Sequence, residues 1–380
     1  MRRFRRWIAI ATLVVVGLIG LGVAAIAIRY GGGERFPDRT TAPELSASVL
    51  EVVAELDLPP GNIAVSADGR IFFSFHPEAA PPVQVAELVN GRPSPYPPRP
   101  LPDEIAYQSV LSLRIDRQNR LWVLDNANHG TGTPRLLAFD LANDEPVHRF
   151  DFPRSIAGWG SHLNDFQVSP DGKRIYIADA SIFAQTPALV VYDVERRQAR
   201  RLLEGHESVT PEPFVPEVQG RRMLVFGIFA IRPGVDSIAL DRRGEWLYFA
   251  PVTSRTMYRV RRADLDDPDH EPAVLAARVE RFAPKTTSDG ITTDLDDGVY
   301  LSDPDQSAIV ILEPDGSLRT LLKDPKLRWP DGFSFGPDGW LYITCSALHH
   351  VIMKSGAHVR SHAPYQIFRF RPGPGGFPGH

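Results

Sequence analysis

Six times along the chain a short β-like run passes through a tight turn into a strand of the form apolar–aromatic–apolar. The strands are Ile71-Phe72-Phe73, Leu121-Trp122-Val123, Ile175-Tyr176-Ile177, Leu247-Tyr248-Phe249, Val299-Tyr300-Leu301 and Leu341-Tyr342-Ile343. The turns before them are Asp68-Gly69, Gln118-Asn119, Asp171-Gly172, Arg243-Gly244, Asp297-Gly298 and Asp338-Gly339. Asn and Gly supply the positive φ that short hairpin turns need, so each unit reads as a hairpin. A second strand pair lies behind several of them, as in residues 189–193 with 200–203. Four strands per unit, repeated at a spacing of about 40 to 70 residues, is the pattern of a β-propeller. The sequence therefore predicts an all-β, six-bladed β-propeller. The longest interval, residues 206–234, lacks the aromatic strand and its turn, and reads as an insertion or as extra strands of neighbouring blades rather than a seventh blade. Residues 50–58 precede the first unit and are expected to supply the outer strand of the last blade, which closes the ring and removes its exposed edges.

The first segment has a different character. Arg2, Arg3, Arg5 and Arg6 precede residues 7–28, which are 22 residues without a charge. At about 1.5 Å per residue that run spans the roughly 30 Å hydrocarbon core of a bilayer. Arginines on the short side hold that side in the cytoplasm and send the remainder across. The expected organisation is a transmembrane anchor or signal segment over 1–28, a linker over 29–48, the propeller over 49–372 and a flexible tail over 373–380. A cleaved signal peptide is the alternative to the anchor, since Ala25-Ile26-Ala27 resembles a cleavage site, although the apolar run is longer than a usual signal core. Either way the body is expected outside the cytoplasm, periplasmic or extracellular.

Composition excludes several functions. Lys plus Arg number 42 against 46 Asp plus Glu, a net charge of −4, which argues against nucleic acid as the partner. A single cysteine, Cys345, excludes an intrachain disulfide and any thiolate-rich metal cluster. No phosphate loop or dinucleotide fingerprint is present, and Gly158-Trp159-Gly160-Ser161-His162 is not a nucleophile elbow. His129, His162, His349 and His350 fall in expected loops, where spacing alone does not bring them together.

One constellation does follow the repeat. Asp165, Asp236, Asp289 and Asp331 each stand 10 or 11 residues before the first apolar residue of their aromatic strand. A common offset puts them at the entry of the innermost strands, around the axis, with Asn62 nearest that place in the first blade. Carboxylates gathered in a funnel raise one another's pKa unless a cation offsets them. Ca²⁺ or another divalent cation would suit oxygen ligands, a protonated amine would suit the same field, and each Asp could instead cap its own strand entry. These three readings stay open at the level of sequence.

The phrases Asn119-Arg120-Leu121-Trp122-Val123-Leu124-Asp125, Leu163-Asn164-Asp165, Gly234-Val235-Asp236-Ser237-Ile238 and Trp329-Pro330-Asp331 resemble, in order, those of the major royal jelly/Yellow proteins. The resemblance covers about residues 50 to 370. It implies a secreted six-bladed propeller, with bacterial relatives often labelled dopachrome-tautomerase-related and insect members that bind small amines in the central channel. This chain departs in lacking the family's cysteines and in adding the apolar segment. Asn164-Asp165 and Ser288-Asp289-Gly290 are also similar to gluconolactonase/regucalcin propellers. That second resemblance implies a divalent cation held by Asn164, Asp165 and Asp289, although the Glu expected in the first blade is replaced by Asn62.

Three functions follow as expectations. The first is a membrane-tethered propeller that binds a small molecule at the channel mouth through Asn62, Asp165, Asp236, Asp289 and Asp331. The second is a metal-dependent, gluconolactonase-like hydrolase in which Asp289 acts on water. The third is an interaction scaffold that docks another envelope protein. Whether the chain is an enzyme is open. Lactonase-like hydrolysis or tautomerase-like isomerisation would be the chemistry, and no acid/base pair stands out for the latter.

Overall fold

The computed structural model describes residues 2–379 and consists of six four-stranded antiparallel sheets arranged as a propeller. Blade one runs Pro60–Val65, Ile71–Phe75, Val85–Val89 and Arg92–Pro95 from the axis outward. Blade two starts at Val110–Ile115, blade three at Leu163–Val168, blade four at Val235–Leu240 and blade five at Ile291–Thr293. Blade six takes Pro330–Phe335, Leu341–Cys345 and Tyr365–Phe370 from one end of the propeller sequence and its outer strand, Glu51–Leu56, from the other. Glu51 pairs with Arg369 and Leu56 with Tyr365, so the ring closes as the sequence predicts. The turn positions before the aromatic strands adopt the left-handed conformation, with φ 60° at Asn119, 66° at Asp297 and 59° at Asp338.

The core is six interfaces between blades. Phe72 packs with blade-two residues Leu113, Val123 and Leu137, and Trp122 with blade-three residues Phe166 and Ile175. Tyr176 meets Ile238 and Leu247 of blade four, and Tyr248 meets Ile291 and Leu301 of blade five. Tyr300 lies 5.8 Å from Phe335 of blade six, and Tyr342 returns to Ile63 and Val65 of blade one. The repeated aromatic is thus the residue that joins each blade to the next. Its burial on both faces of a sheet is why the flanking positions are apolar as well.

Two of the three connecting segments differ from the expectations. Residues 29–48 are not a free linker. The helix Arg2–Tyr30 runs through them as far as Tyr30, Glu34–Arg35 pairs in parallel with Phe214–Val215, and Phe36 is buried. Thr41 and Thr320 then exchange backbone-to-hydroxyl bonds of 2.8 and 2.9 Å, which covers the outer edge of blade five. The tail is docked too. Gly375 accepts from Leu295 N at 2.9 Å, and Gly379 donates to Phe335 O and accepts from Ile115 N. Those partners lie at or just beyond the far ends of inner strands, so the tail crosses the end of the channel opposite the site described below. The long interval is an insertion, as expected, made of the hairpins Glu217–Val218 with Arg221–Arg222 and Leu224–Val225 with Phe229–Ala230. Val218 and Met223 pack against blades six and one, and Gln219 donates to Pro325 O after blade five. The insertion therefore reaches across the top of the ring.

Candidate functional site

Five of the six inner strands begin with an irregularity. The pairing between the first and second strands shifts between Pro60 and Ile63, Val110 and Ser112, Leu163 and Phe166, Val235 and Ser237, and Pro330 and Phe333. A bulge of this kind turns a side chain out of the alternation of the strand. Apart from Gly61 and Gly332, the residues inside these bulges are Asn62, Leu111, Asn164 with Asp165, Asp236, and Asp331, and these six line one cavity on the axis. In blade five Asp289 precedes the strand, and its N–H donates to Ser302 O at 3.2 Å. The glycines after Asp289 and Asp331 permit the close approach of neighbouring blades: a Cβ on Gly290 would lie 2.0 Å from Asp331 O, and one on Gly332 2.9 Å from Asn62 Cα. Backbone groups displaced by the bulges find hydroxyl partners, as buried groups must. Asn62 N donates to Ser74 Oγ, Ser74 Oγ to Leu111 O, Thr344 Oγ1 to Gly61 O and Ser237 Oγ to Asp289 O.

The cavity has a volume of about 520 Å³ and brings together Asn62, Asn164, Asp165, Asp236, Asp289 and Asp331, every candidate ligand drawn from the sequence. Asp165 is the most tightly held. Its Oδ1 accepts from Asn62 Nδ2 at 2.8 Å and from Ser112 Oγ, and Arg114 Nη2 stands 3.7 Å from Oδ2. Arg114 also donates to Asn62 Oδ1 and is 1% exposed. Asn164 donates to Asp236, which leaves Asn164 Oδ1 buried without a partner. Trp329 Nε1 donates to Asp289 Oδ2. Among the described residues, Asp236, Asp289 and Asp331 meet no Lys, Arg or His nitrogen within 4.0 Å. Four carboxylates thus share one guanidinium.

The electrostatic consequence is large. Burial, then the charges of Asp289 and Asp165, pushes Asp236 well above the usual carboxylate range. Burial and the same two neighbours do so for Asp331. Burial raises Asp289 to about 7 against the opposing bond from Trp329. Lys285, fully buried behind the site and bonded to Val252 O, Thr286 O and Ser288 Oγ, is lowered to about 7 by burial.

A second wall carries imidazoles. His129 and His162 stack at 4.5 Å, and His129 Nε2 lies 3.4 Å from Glu78 Oε1. His76 is lowered to about 4, chiefly by burial, and His162 further for the same reason. The remaining wall is apolar and includes Phe183 and Leu348 from loops, Phe226, Phe229 and Ile231 from the insertion, and Ile26 from the N-terminal helix. Sequence reasoning missed Arg114, His76, Glu78 and this apolar wall. Arg114 had a signal, a lone charge in the run Leu111-Ser112-Leu113-Arg114-Ile115. The others come from loops, where no register applies.

A divalent cation does not fit the residues as arranged. Ca²⁺ needs about six to eight oxygens at roughly 2.3–2.6 Å. The oxygens of Asp165 are taken by Asn62, Ser112 and Arg114, and Asp289 Oδ2 is taken by Trp329. Among the described residues, no three carboxylates of this cluster bring their oxygens within 4.8 Å of one another. The set Asn164, Asp165 and Asp289 expected from the second resemblance is therefore assembled on one wall, but its charge is already answered in part by Arg114.

Comparison with known proteins agrees with this architecture. The family model described as Major royal jelly protein matches residues 108–324, which is blades two to five. Major royal jelly protein 7 of Apis mellifera is 29% identical over 163 residues, 40% of this chain and 34% of the relative. The match thus spans about a third of that relative's length. Among solved structures, a regucalcin from Agrobacterium tumefaciens titled as a calcium-binding protein superposes with a TM-score of 0.55 at 15% identity, over 86% of this chain and 95% of the other. A gluconolactonase from Xanthomonas campestris gives 0.53 at 14% identity, over 89% and 97%. At these identities the likeness is one of fold alone.

Proposed function

The chain belongs to the major royal jelly protein family, and on that premise we propose that it is a membrane-tethered, extracytoplasmic propeller that binds a small organic cation at its channel mouth. The observation that carries this reading is the charge imbalance: Asp165, Asp236, Asp289 and Asp331 face one cavity with Arg114 as their one ion-pair partner among the described residues. A protonated amine entering the cavity supplies the missing charge, and its N–H groups suit the unpartnered Asn164 Oδ1. The apolar wall of Phe183, Phe229 and Ile231 suits an aromatic or aliphatic body behind that head group. The family resemblance to propellers that bind small amines points the same way. The fixed guanidinium of Arg114 and the absence of convergent oxygens weigh against the metal-dependent hydrolase, and no acid/base pair argues for isomerisation.

The tether enters the same reading. The helix Arg2–Tyr30 is exposed and apolar over its span, and its end docks beside the mouth: the Tyr30 ring lies tilted against Phe229 at 4.9 Å and Ile26 lines the cavity. Phe226, at 83% exposed, and the exposed Met353 line the same mouth. An anchored helix would hold this rim at the membrane interface, where such side chains are favoured, and the ligand would then be an amphipathic amine.

Calorimetric titration of the detergent-solubilised chain with aromatic and aliphatic amines tests the binding reading. One-site binding that weakens at least tenfold in Asp289→Asn and Asp236→Asn is expected. Binding of neutral isosteres as tightly as amines, or no binding of amines at all, would leave the scaffold role ahead.

A further inference from the structure

Outside the cavity, the loop of blade six between Cys345 and Tyr365 gathers histidines. His350 ends the turn Leu348–His350. His358 lies in the helix Gly356–Ser361, and His362 caps it four residues on. The spacing of four puts His358 and His362 on one side of that helix, and their rings lie 4.3 Å apart. His350 completes the group, 3.9 Å from the His362 ring and 5.9 Å from the His358 ring. One ring nitrogen of each falls within 4.8 Å of the others, and among the described residues this is the one set of three or more His, Cys, Asp or Glu that does so.

Two details give this cluster the chemistry of a ligand set rather than of a chance stack. His362 Nδ1 lies 2.9 Å from His358 O, so that nitrogen carries the proton and the Nε2 lone pair is left free. A backbone carbonyl holding the distal N–H is the usual way a metal-ligating imidazole is oriented. His358 Nε2 is buried with no hydrogen-bond partner, a cost that a bound ion would relieve. No carboxylate of the cluster's own loop competes for the nitrogens, because residues 346–364 contain no Asp or Glu.

We propose that His350, His358 and His362 form a three-imidazole site for Zn²⁺, with the fourth position open to solvent. Three imidazoles and one open position are a known zinc arrangement, with Zn–N near 2.0–2.1 Å. Tetrahedral geometry then requires N···N separations of about 3.4 Å, which the group reaches by small side-chain rotations. The ion would pin the turn to the helix across the loop. That loop also supplies Leu348, Ile352 and Met353 to the cavity wall, so zinc would stiffen one side of the mouth. Arg221 and Arg328 face the cluster. Their field favours neutral imidazoles and opposes a dication, so the expected affinity is below that of the same three imidazoles without these neighbours.

The test is titration of the tag-free full-length chain in detergent, stripped by chelation, with Zn²⁺ by calorimetry and with Co²⁺ by visible absorption. One equivalent of Zn²⁺ should bind, with the intense visible band of tetrahedral Co²⁺. His358→Gln and His362→Gln should each weaken Zn²⁺ at least tenfold, while His270→Gln, remote from the cluster, leaves it unchanged. Circular dichroism matching wild type removes misfolding as the cause. Absence of one-to-one binding below about 100 μM, or equal affinity in the two variants and wild type, would overturn the assignment.

Discussion

Replacing Asp289 by Asn tests the electrostatic account of the cavity through stability alone, before any ligand is known. A carboxyl raised from 3.8 to about 7 by burial favours the folded state in its protonated form. Its stabilising contribution is fully present below the unfolded value, near pH 4, and is lost as pH rises through about 7. The full difference corresponds to a loss on the order of 4 kcal/mol above pH 8. Asp236 and Asp331 share the same field, so the titration belongs to the group as a whole. Asn mimics the protonated acid, and its side-chain oxygen can still accept from Trp329 Nε1. Asp289→Asn should therefore exceed wild type by about 2 kcal/mol near pH 5.5 and by about 4 kcal/mol near pH 8.5. Urea unfolding of the detergent-solubilised chain, followed by tryptophan fluorescence at the two pH values, measures this. A wild type whose stability does not fall between them, or a variant less stable at pH 8.5, would refute the charge-crowding argument. The same variant should lose amine binding, so a gain in stability and a loss of function are expected together, as at sites that hold strain for a ligand.

Arg114→Met removes the one cation paired with the cluster among the described residues and should cost about 3–5 kcal/mol, as breaking a buried pair does. Adding Asp165→Asn should recover part of that cost in a double-mutant cycle, and strict additivity would show that the 3.7 Å pair carries no coupling. Deleting Glu51–Leu56 strips the outer strand from blade six and should yield aggregation on size exclusion, whereas unchanged elution would deny that the ring closes through this strand. For topology, Asp68→Cys on an exposed turn should react with an impermeant maleimide in intact spheroplasts, since Cys345 is buried. Reaction only after lysis would reverse the orientation.

The propeller was legible in the sequence because its cause is local. Each unit carries its own turn chemistry, and its aromatic strand must be apolar on both faces, so Phe72, Trp122, Tyr176, Tyr248, Tyr300 and Tyr342 announce six interfaces without any long-range information. The four aspartates were legible for the same reason, since a constant offset from those strands fixes a constant place in each blade. That they face a common space depends on closure of the ring by Glu51–Leu56 and on the bulges that turn them toward the axis. Arg114 stood in the sequence as a misplaced charge, but its partners come from blades one and three, 52 and 51 residues away. The docking of residues 29–48 and of the tail was not legible, because their contacts are a two-residue strand pairing, hydroxyl bonds and isolated backbone bonds to distant edges, which leave no periodic trace. The same holds for His350, His358 and His362. Only the fold of one loop turns three histidines spread over 13 residues into a group within 4.8 Å, because sequence records spacing along the chain and a binding site requires convergence in space.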